Sequence, residues 1–179
     1  MSDETPTNQS HDQAAEGAPE PTAGPTDAPP SYPFPKGEAG LLPWIHARVR
    51  LERAPNYWLA TTRPDGRPHV TPLWGVWVDD LLYFDGIPTA RWARNLAANP
   101  YASMHLESGD DVVIVEGVVE DLVTDAETGE RVVRAWDEKY GRLHPEPAAQ
   151  GLFRLRPRNV RAWSAASLVD GTRWRFAEE

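Results

Sequence analysis

The chain has 179 residues and a formal net charge of −9, and most of that charge lies near the N-terminus. Residues 1–40 hold seven acidic residues and one basic residue, whereas the remainder has 17 basic and 20 acidic residues and is nearly neutral. Proteins that bind nucleic acids need a basic face to neutralise phosphates, so this balance argues against that class. The absence of cysteine excludes disulfides and thiolate-ligated metals.

The N-terminal segment has the composition of a disordered tail. Residues 1–37 are rich in Pro, Ala, Thr, Glu and Gly and have almost no large apolar side chains before Tyr32 and Phe34. Such a segment buries too little surface to offset chain entropy, so we predict a disordered tail over 1–37 and a folded domain over 38–179. No stretch approaches the roughly 18 apolar residues that cross a bilayer, and no signal peptide is visible, so the expected location is the cytoplasm.

The first part of the domain is predicted as one helix and three strands. Apolar residues recur at helical spacing from Leu41 to Arg53, and Pro55 and Asn56 follow as helix-ending residues. Strands with turn signals between them then predict a three-stranded meander over 57–63, 70–78 and 81–84.

The second part alternates strands with two more helices. The predicted helices are 89–98, with Thr89 as N-cap, and 125–140, with Asp125 as N-cap. The predicted strands are 101–107, 111–123, 151–156, 159–163 and 172–176. These closely spaced strands with few crossovers predict a mainly β, α+β fold built on an antiparallel barrel.

General catalytic motifs are missing from the chain. It has no phosphate-binding glycine loop, no nucleophile elbow and no pair of histidines at metal-ligand spacing. Neither hydrolase chemistry nor a metal site is therefore indicated.

Thr71–Pro72 interrupts an otherwise regular strand. Proline cannot donate to a strand ladder, so it marks an edge, a bulge or a gap. A gap would leave backbone groups free to bind a planar ligand, and a bulge would only bend the barrel.

Arg91 and Arg94 lie three residues apart at the start of a predicted helix. Together with the free N–H groups of the helix N-terminus they could hold a phosphate, and the alternative is a solvated helix face. Eight tryptophans are present, and most are expected in the core. Trp74 and Trp92 flank these two features and are placed to line a flat aromatic ligand.

The order of these features resembles one family. The stretch WLATTRPDGRPHVTPLWGVW, then LYF, then ARNLAANP, is similar to the pyridoxamine 5′-phosphate oxidase-like proteins, and within them to the flavin/deazaflavin oxidoreductases. The similarity covers roughly residues 55–174. It implies an antiparallel split β-barrel with a few flanking helices, and a homodimer with two cofactor sites at the subunit interface.

The resemblance also implies which residues bind the cofactor. The backbone of the second strand would face the ring, the helix start would bind the phosphate, and the C-terminal strands would close the site from the other subunit. Family members often have a lysine where this chain has Trp92, so Arg91 is expected to supply that charge. The implied cofactor-binding residues are Val70, Thr71, Pro72, Leu73, Trp74, Thr89, Arg91, Trp92, Arg94, Asn95, Arg161 and Trp163.

The activity implied by the resemblance is that of a deazaflavin (coenzyme F420)-dependent oxidoreductase, which transfers a hydride to an activated C=C bond of a small molecule. An FMN-dependent oxidase or reductase of the same fold is one alternative, and a non-catalytic binder of a flavin or haem-like ligand is another. The C-terminal segment lacks the substrate-binding arginine and histidine pattern of true pyridoxamine phosphate oxidases, so vitamin B6 oxidation is not expected. No catalytic side chain is nominated, and neither a metal nor a membrane partner is expected.

Overall fold

A computed structural model of the protein describes residues 20–141, 145–147, 151–166 and 168–177. Within these ranges the chain forms nine strands and three α-helices. In chain order they are β1 (Thr22–Pro25), α1 (Trp44–Arg53), β2 (Tyr57–Thr62), β3 (Pro68–Leu73), β4 (Val76–Val78), β5 (Leu81–Asp85), α2 (Arg91–Ala98), β6 (Tyr101–His105), β7 (Asp111–Leu122), α3 (Ala126–Tyr140), β8 (Leu152–Ser164) and β9 (Thr172–Arg175). None of these helices is long and apolar enough to span a membrane.

The strands form one antiparallel sheet. Its main path runs β1-β9-β8-β7-β6-β2-β3, while β5 joins β8 and carries β4 on its other side. The long strands β7 and β8 pair along most of their length. On its other side, β7 pairs with β6, and β8 pairs with β5 and β9. This is the antiparallel split β-barrel with flanking helices that the sequence predicts, and the fold class is confirmed.

Two clusters of buried side chains hold the barrel together. The larger fills the barrel interior and includes Trp174, Leu155 and Leu59, which are fully buried. The smaller lies under α3, where Trp136 and Val132 pack on the β4–β5 hairpin. Because truncating a fully buried tryptophan costs about 3–5 kcal/mol, Trp136 alone accounts for much of the attachment of α3.

The predicted three-stranded meander is wrong. Residues 70–78 do not form one strand, because β3 pairs with β2 whereas β4 pairs with β5. The chain changes partner at Trp74–Gly75, where a Cβ on Gly75 would lie 2.7 Å from the Tyr83 carbonyl oxygen. This close crossing of two backbones requires glycine and divides the predicted strand in two.

The reverse error occurs around Pro157. Two strands are predicted there, but β8 runs without a break from Leu152 to Ser164. Pro157 lies opposite Gly117, at the register shift between Glu116 and Gly117 of β7. The shift leaves the neighbouring Arg158 without a ladder partner, and at this irregularity in the ladder a proline is accommodated in the strand.

The prediction of disorder over 1–37 is wrong for its second half, while residues 1–19 lie outside the described residues. β1 pairs with β9, and Thr26 is buried beside Gly171. Phe34 packs on the ring of Trp163, with centroids 5.9 Å apart, and covers Gly171. These contacts join distant parts of the chain, so local composition does not reveal them.

Candidate functional site

β3 is an edge strand of the sheet. Among the described residues it pairs only with β2, so Thr71–Pro72 marks an edge, one of the three outcomes expected for a proline in a strand. An antiparallel strand directs alternate backbone groups to each side, so the side of β3 away from β2 presents groups without a strand partner. The Val70 side chain is 52% exposed, and Pro72 is also exposed.

Helix α2 packs over β2 and β3, beside this edge. Its anchor is Asn95, which is fully buried and donates from Nδ2 to the Thr61 hydroxyl oxygen at 2.9 Å. The helix begins at Arg91 with Ala90, rather than the predicted Thr89, as N-cap, and no side chain caps it. The first-turn N–H groups of α2 therefore lack a side-chain acceptor in the described part of the protein.

Arg91 and Arg94 are both exposed on this helix. In the described ranges neither guanidinium lies within salt-bridge distance of a carboxylate, unlike Arg50 or Arg154. Exposed arginines beside uncapped helix N–H groups are a suitable donor set for an anion such as a phosphate. The structure thus brings the predicted phosphate-binding group and the predicted ring-binding strand together.

The two tryptophans beside these features have different surroundings. Trp92 is half-buried and points into the barrel core, where its ring lies 4.8 Å from Phe153 and 5.6 Å from Phe84. It also covers Gly86, where an added Cβ would be 2.5 Å from the indole. Trp74 is 39% exposed and stacks on Tyr140 of α3 with centroids 5.2 Å apart. Of the two, Trp74 presents surface at the end of β3.

Arg161 and Trp163 lie on the same outer face of the sheet as Val70 and Pro72, but four strands away. A single cross-strand row on this face contains Pro72, Trp58, His105, Ile114, Arg161 and Arg173. With about 4.8 Å between strands, the separation from β3 to β8 is roughly 19 Å along the sheet. Within one chain, the structure does not bring Arg161 and Trp163 to α2 and β3.

A groove of ≈ 500 Å³ crosses the outer face of the sheet from Pro68 on β3 to Arg158 on β8. Its lining includes Thr62, Pro68, Tyr101, Ser103, Glu116 and Arg158. Cofactor sites are usually clefts of roughly 300–1,000 Å³, so this groove is large enough to take part of a planar cofactor.

Two buried polar atoms lie where α2 meets the sheet, and one of them belongs to His69, which the sequence analysis did not select. His69 on β3 pairs directly with Thr61 on β2, and its Nδ1 is buried without a hydrogen-bond partner in the described structure. The Asn95 Oδ1 is also buried and unpartnered there. Buried polar atoms normally have partners, so the His69 Nδ1 fits a site that binds a polar ligand, whereas the fully buried Asn95 anchors α2. The signal for His69 was its position two residues before Thr71, on the same face of the strand.

Near the end of β3, burial shifts the pKa values of three side chains more than neighbouring charges do. Lys139 donates to the Gly75 carbonyl oxygen at 2.8 Å and to the Tyr57 hydroxyl at 2.9 Å, directly below Trp74. Burial lowers the pKa of Lys139 to about 8 and raises the pKa of Tyr57 and Tyr140. Tyr140 accepts from the Gly75 N–H at 3.1 Å. Lys139 and Tyr140 thus fix the backbone of Gly75, two residues after the end of β3.

Comparison with solved structures finds proteins of the same architecture. A conserved hypothetical protein from Mycobacterium tuberculosis is 27% identical, with a TM-score of 0.59 over 73% of this chain and 90% of that one. An F420 reductase is 32% identical, with a TM-score of 0.50 over 63% of this chain and 94% of that one. A heme binding protein from Mycobacterium smegmatis, 18% identical with a TM-score of 0.58 over 73% of this chain and 58% of that one, shows the fold alone. No curated protein matches the sequence.

The sequence itself matches one family description. Residues 45–164 match pyridoxamine 5′-phosphate oxidase, and this range extends from α1 to the end of β8. It includes the edge strand, helix α2 and both Arg161 and Trp163. The family contains oxidoreductases and its fold binds flavin-type cofactors. The chain belongs to the pyridoxamine 5′-phosphate oxidase-like family of split β-barrel proteins.

Proposed function

We propose that this protein is a deazaflavin (coenzyme F420)-dependent oxidoreductase that acts as a cytoplasmic homodimer. It transfers a hydride to an activated C=C bond of a small, largely apolar molecule. The observation that carries the proposal is the placement of Arg91 and Arg94, exposed and without carboxylate partners in the described chain, beside the free edge of β3. The 32% identity to an F420 reductase favours the deazaflavin over other flavins.

The phosphate end of the cofactor would be held by α2. Arg91 and Arg94 supply charge-assisted hydrogen bonds, and the uncapped N–H groups of the helix point to the same region. Thr89, exposed just before the N-cap, adds a hydroxyl group. Asn95 fixes the helix against β2, and Trp92 fixes it against the core, so these two residues position the arginines.

The ring end would lie along β3. Within Val70, Thr71, Pro72 and Leu73, the alternate residues whose backbone faces the free edge can hydrogen-bond the polar edge of a ring, and Pro72 has no N–H to donate. Trp74 would lie beside the ring at the end of the strand. When bound, the deazaflavin supplies the hydride chemistry, and the protein contributes orientation and exclusion of water.

A second subunit is needed to complete this site. Arg161 and Trp163 lie roughly 19 Å along the sheet from β3 of their own chain, too far to contact the same ring system. In a two-fold dimer, Arg161 of the partner subunit and Trp163 of the partner subunit would reach across the outer-face groove. Exposed Val70 and Tyr101 on this face provide apolar surface for such an interface.

The phosphate assignment is tested by arginine substitutions. Arg91→Ala and Arg94→Ala should each weaken binding of F420 by about 1.5–3 kcal/mol, the scale of a charged hydrogen bond. Arg53→Ala is the matched control, because Arg53 is also an exposed helical arginine but lies on the last turn of α1. Isothermal titration calorimetry with all three variants measures the effect. If both α2 variants bind F420 with wild-type affinity, the assignment of the phosphate site to α2 is refuted.

Cofactor identity and catalysis need a separate experiment. The protein is purified from a host that makes both FMN and F420, and bound cofactor is identified by absorption and mass spectrometry. Deazaflavin binding with turnover of enones or quinones supports the proposal. A protein carrying FMN supports the FMN-dependent alternative, and ligand binding without turnover supports the non-catalytic binder.

A further inference from the structure

Residues 20–37, here called the strap, cover a pair of arginines that lie directly opposite each other. Arg161 on β8 is the cross-strand partner of Arg173 on β9, so both side chains project from the same face of the sheet. Their side chains are only 23% and 14% exposed. Like charges directly opposite on neighbouring strands repel, so this pair needs an anion.

Two carboxylates provide the compensating charge. Glu116 of β7 lies 2.6 Å from the Arg161 guanidinium. Asp27 of the strap forms an ion pair with Arg173 and also approaches Arg161 at 4.0 Å. Asp27 is thus the one bridging anion between the two arginines in the described structure, and it reaches them from the solvent side.

The strap is attached by few contacts. β1 has four residues, and it adds to the outer edge of β9. Further attachments in the described chain are buried Thr26, the Asp27–Arg173 ion pair and the half-buried ring of Phe34, which covers Gly171 and Trp163. The Asp27 side chain itself is 70% exposed. A short edge strand with one aromatic anchor can open locally at low cost compared with the barrel.

We propose that Arg161 and Arg173 form a second anion site, specific for a phosphoryl group, and that Asp27 occupies it until such a ligand displaces the strap. Two convergent guanidinium groups offer paired N–H donors that match phosphate oxygens. Glu116 pairs with Arg161 alone, and Asp27 offers the bridging position one charge and two oxygens, whereas a phosphoryl dianion offers two charges and three oxygens to both guanidinium groups. Its binding therefore compensates for loss of the Asp27 ion pair.

The site is tested with inorganic pyrophosphate, so that no flavin is needed. Because pyrophosphate would also bind at α2, the titrations are made in the Arg91→Ala/Arg94→Ala background. Asp27→Asn removes the competing carboxylate and should raise the affinity for pyrophosphate about fivefold, given that an exposed ion pair contributes up to about 1 kcal/mol. Asp79→Asn is the matched control, since Asp79 is an exposed aspartate paired with Arg131 at 2.8 Å in another part of the protein.

Two further variants separate strap release from a simple change of net charge. Phe34→Ala removes the aromatic anchor and leaves every charge in place, so it should also tighten pyrophosphate binding. Arg173→Gln should weaken binding by about tenfold, the scale of one charge-assisted hydrogen bond. In the background protein, hydrogen exchange of residues 22–26 should become faster when pyrophosphate is added, because β1 leaves β9.

The inference is overturned if pyrophosphate does not bind in this background. It is equally overturned if Asp27→Asn behaves like Asp79→Asn, or if pyrophosphate slows exchange of residues 22–26. The strap mechanism does not depend on the proposed function, although that function also places Arg161 at the dimer site. A protein that binds pyrophosphate as described but binds no flavin or deazaflavin would refute the proposed function and leave the strap mechanism standing.

Discussion

Lys139 is a half-buried lysine without an acidic partner in the described part of the chain, and its titration should be visible in the stability of the protein. Its Nζ donates to the Gly75 carbonyl oxygen and the Tyr57 hydroxyl, and lies 4.7 Å from the centroid of the Tyr57 ring. No carboxylate lies within salt-bridge distance in the described part of the chain. Burial therefore lowers the pKa of Lys139 from 10.5 to about 8 in the folded state.

This pKa difference makes the free energy of unfolding increase with pH. Between about pH 8 and pH 10 the unfolded chain keeps the Lys139 proton and the folded protein releases it, so the unfolded state binds more protons. At about 1.4 kcal/mol per pKa unit, the full difference corresponds to roughly 3 kcal/mol. Lys139 is partly accessible to water, which screens the effect, so we expect a gain of about 1–2 kcal/mol.

The assay is urea denaturation between about pH 7.5 and pH 9.5. This range ends below the ordinary pKa of tyrosine, because the raised pKa values of Tyr57 and Tyr140 make stability fall once the unfolded tyrosines ionise. Lys139→Met should abolish the increase. Lys36→Met is the control, since Lys36 is exposed and is the only other lysine. Equal pH dependence in wild type and Lys139→Met would refute the reasoning.

Three further substitutions or deletions test the packing that positions the site. Asn95→Ala should lower the free energy of unfolding by about 1–3 kcal/mol in urea denaturation, because it removes the buried bond to Thr61, whereas an unchanged value would mean that α2 is anchored elsewhere. Gly117→Ala should destabilise by more than about 2 kcal/mol, because its Cβ would lie 2.1 Å from the Arg156 carbonyl oxygen, while Gly109→Ala, with open space, should be nearly neutral. Deleting residues 1–37 should lower the Tm by roughly 2–6 °C in calorimetry through loss of β1 and Phe34, and an unchanged Tm would show that these contacts contribute little.

The sequence alone predicted the features that depend on near neighbours in the chain. Asp125 caps α3 as expected, accepting from the Thr128 N–H at 2.9 Å. The Pro64–Gly66 turn forms, with Gly66 at φ +83° donating to the Arg63 carbonyl oxygen. Helix and strand types followed from apolar periodicity, and the order of motifs carried the resemblance to the family whose fold is the split barrel. Capping, turn conformation and side-chain alternation all act over a few residues, so they can be recognised in one stretch of sequence.

Part of the candidate site could also be predicted this way. The proline in β3 indicated an edge, a bulge or a gap, of which the structure has the edge, and the spacing of Arg91 and Arg94 placed them on one helix face. Sequence did not show that Trp92 would turn into the core, because that depends on the space above Gly86 beside Phe84 and Phe153. Nor did it show the unpartnered polar atoms of His69 and Asn95 beneath the helix.

Only the tertiary structure decided which strands pair and what covers them. It divided residues 70–78 between two partners, joined the predicted strands around Pro157, and placed the strap on β9 and Trp163. Each of these outcomes depends on groups far apart in sequence: the Tyr83 carbonyl oxygen above Gly75, the bulge at Gly117, and Gly171 beneath Phe34. Such close packing joins groups that are far apart in the sequence, so no pattern within a short stretch of sequence reveals it.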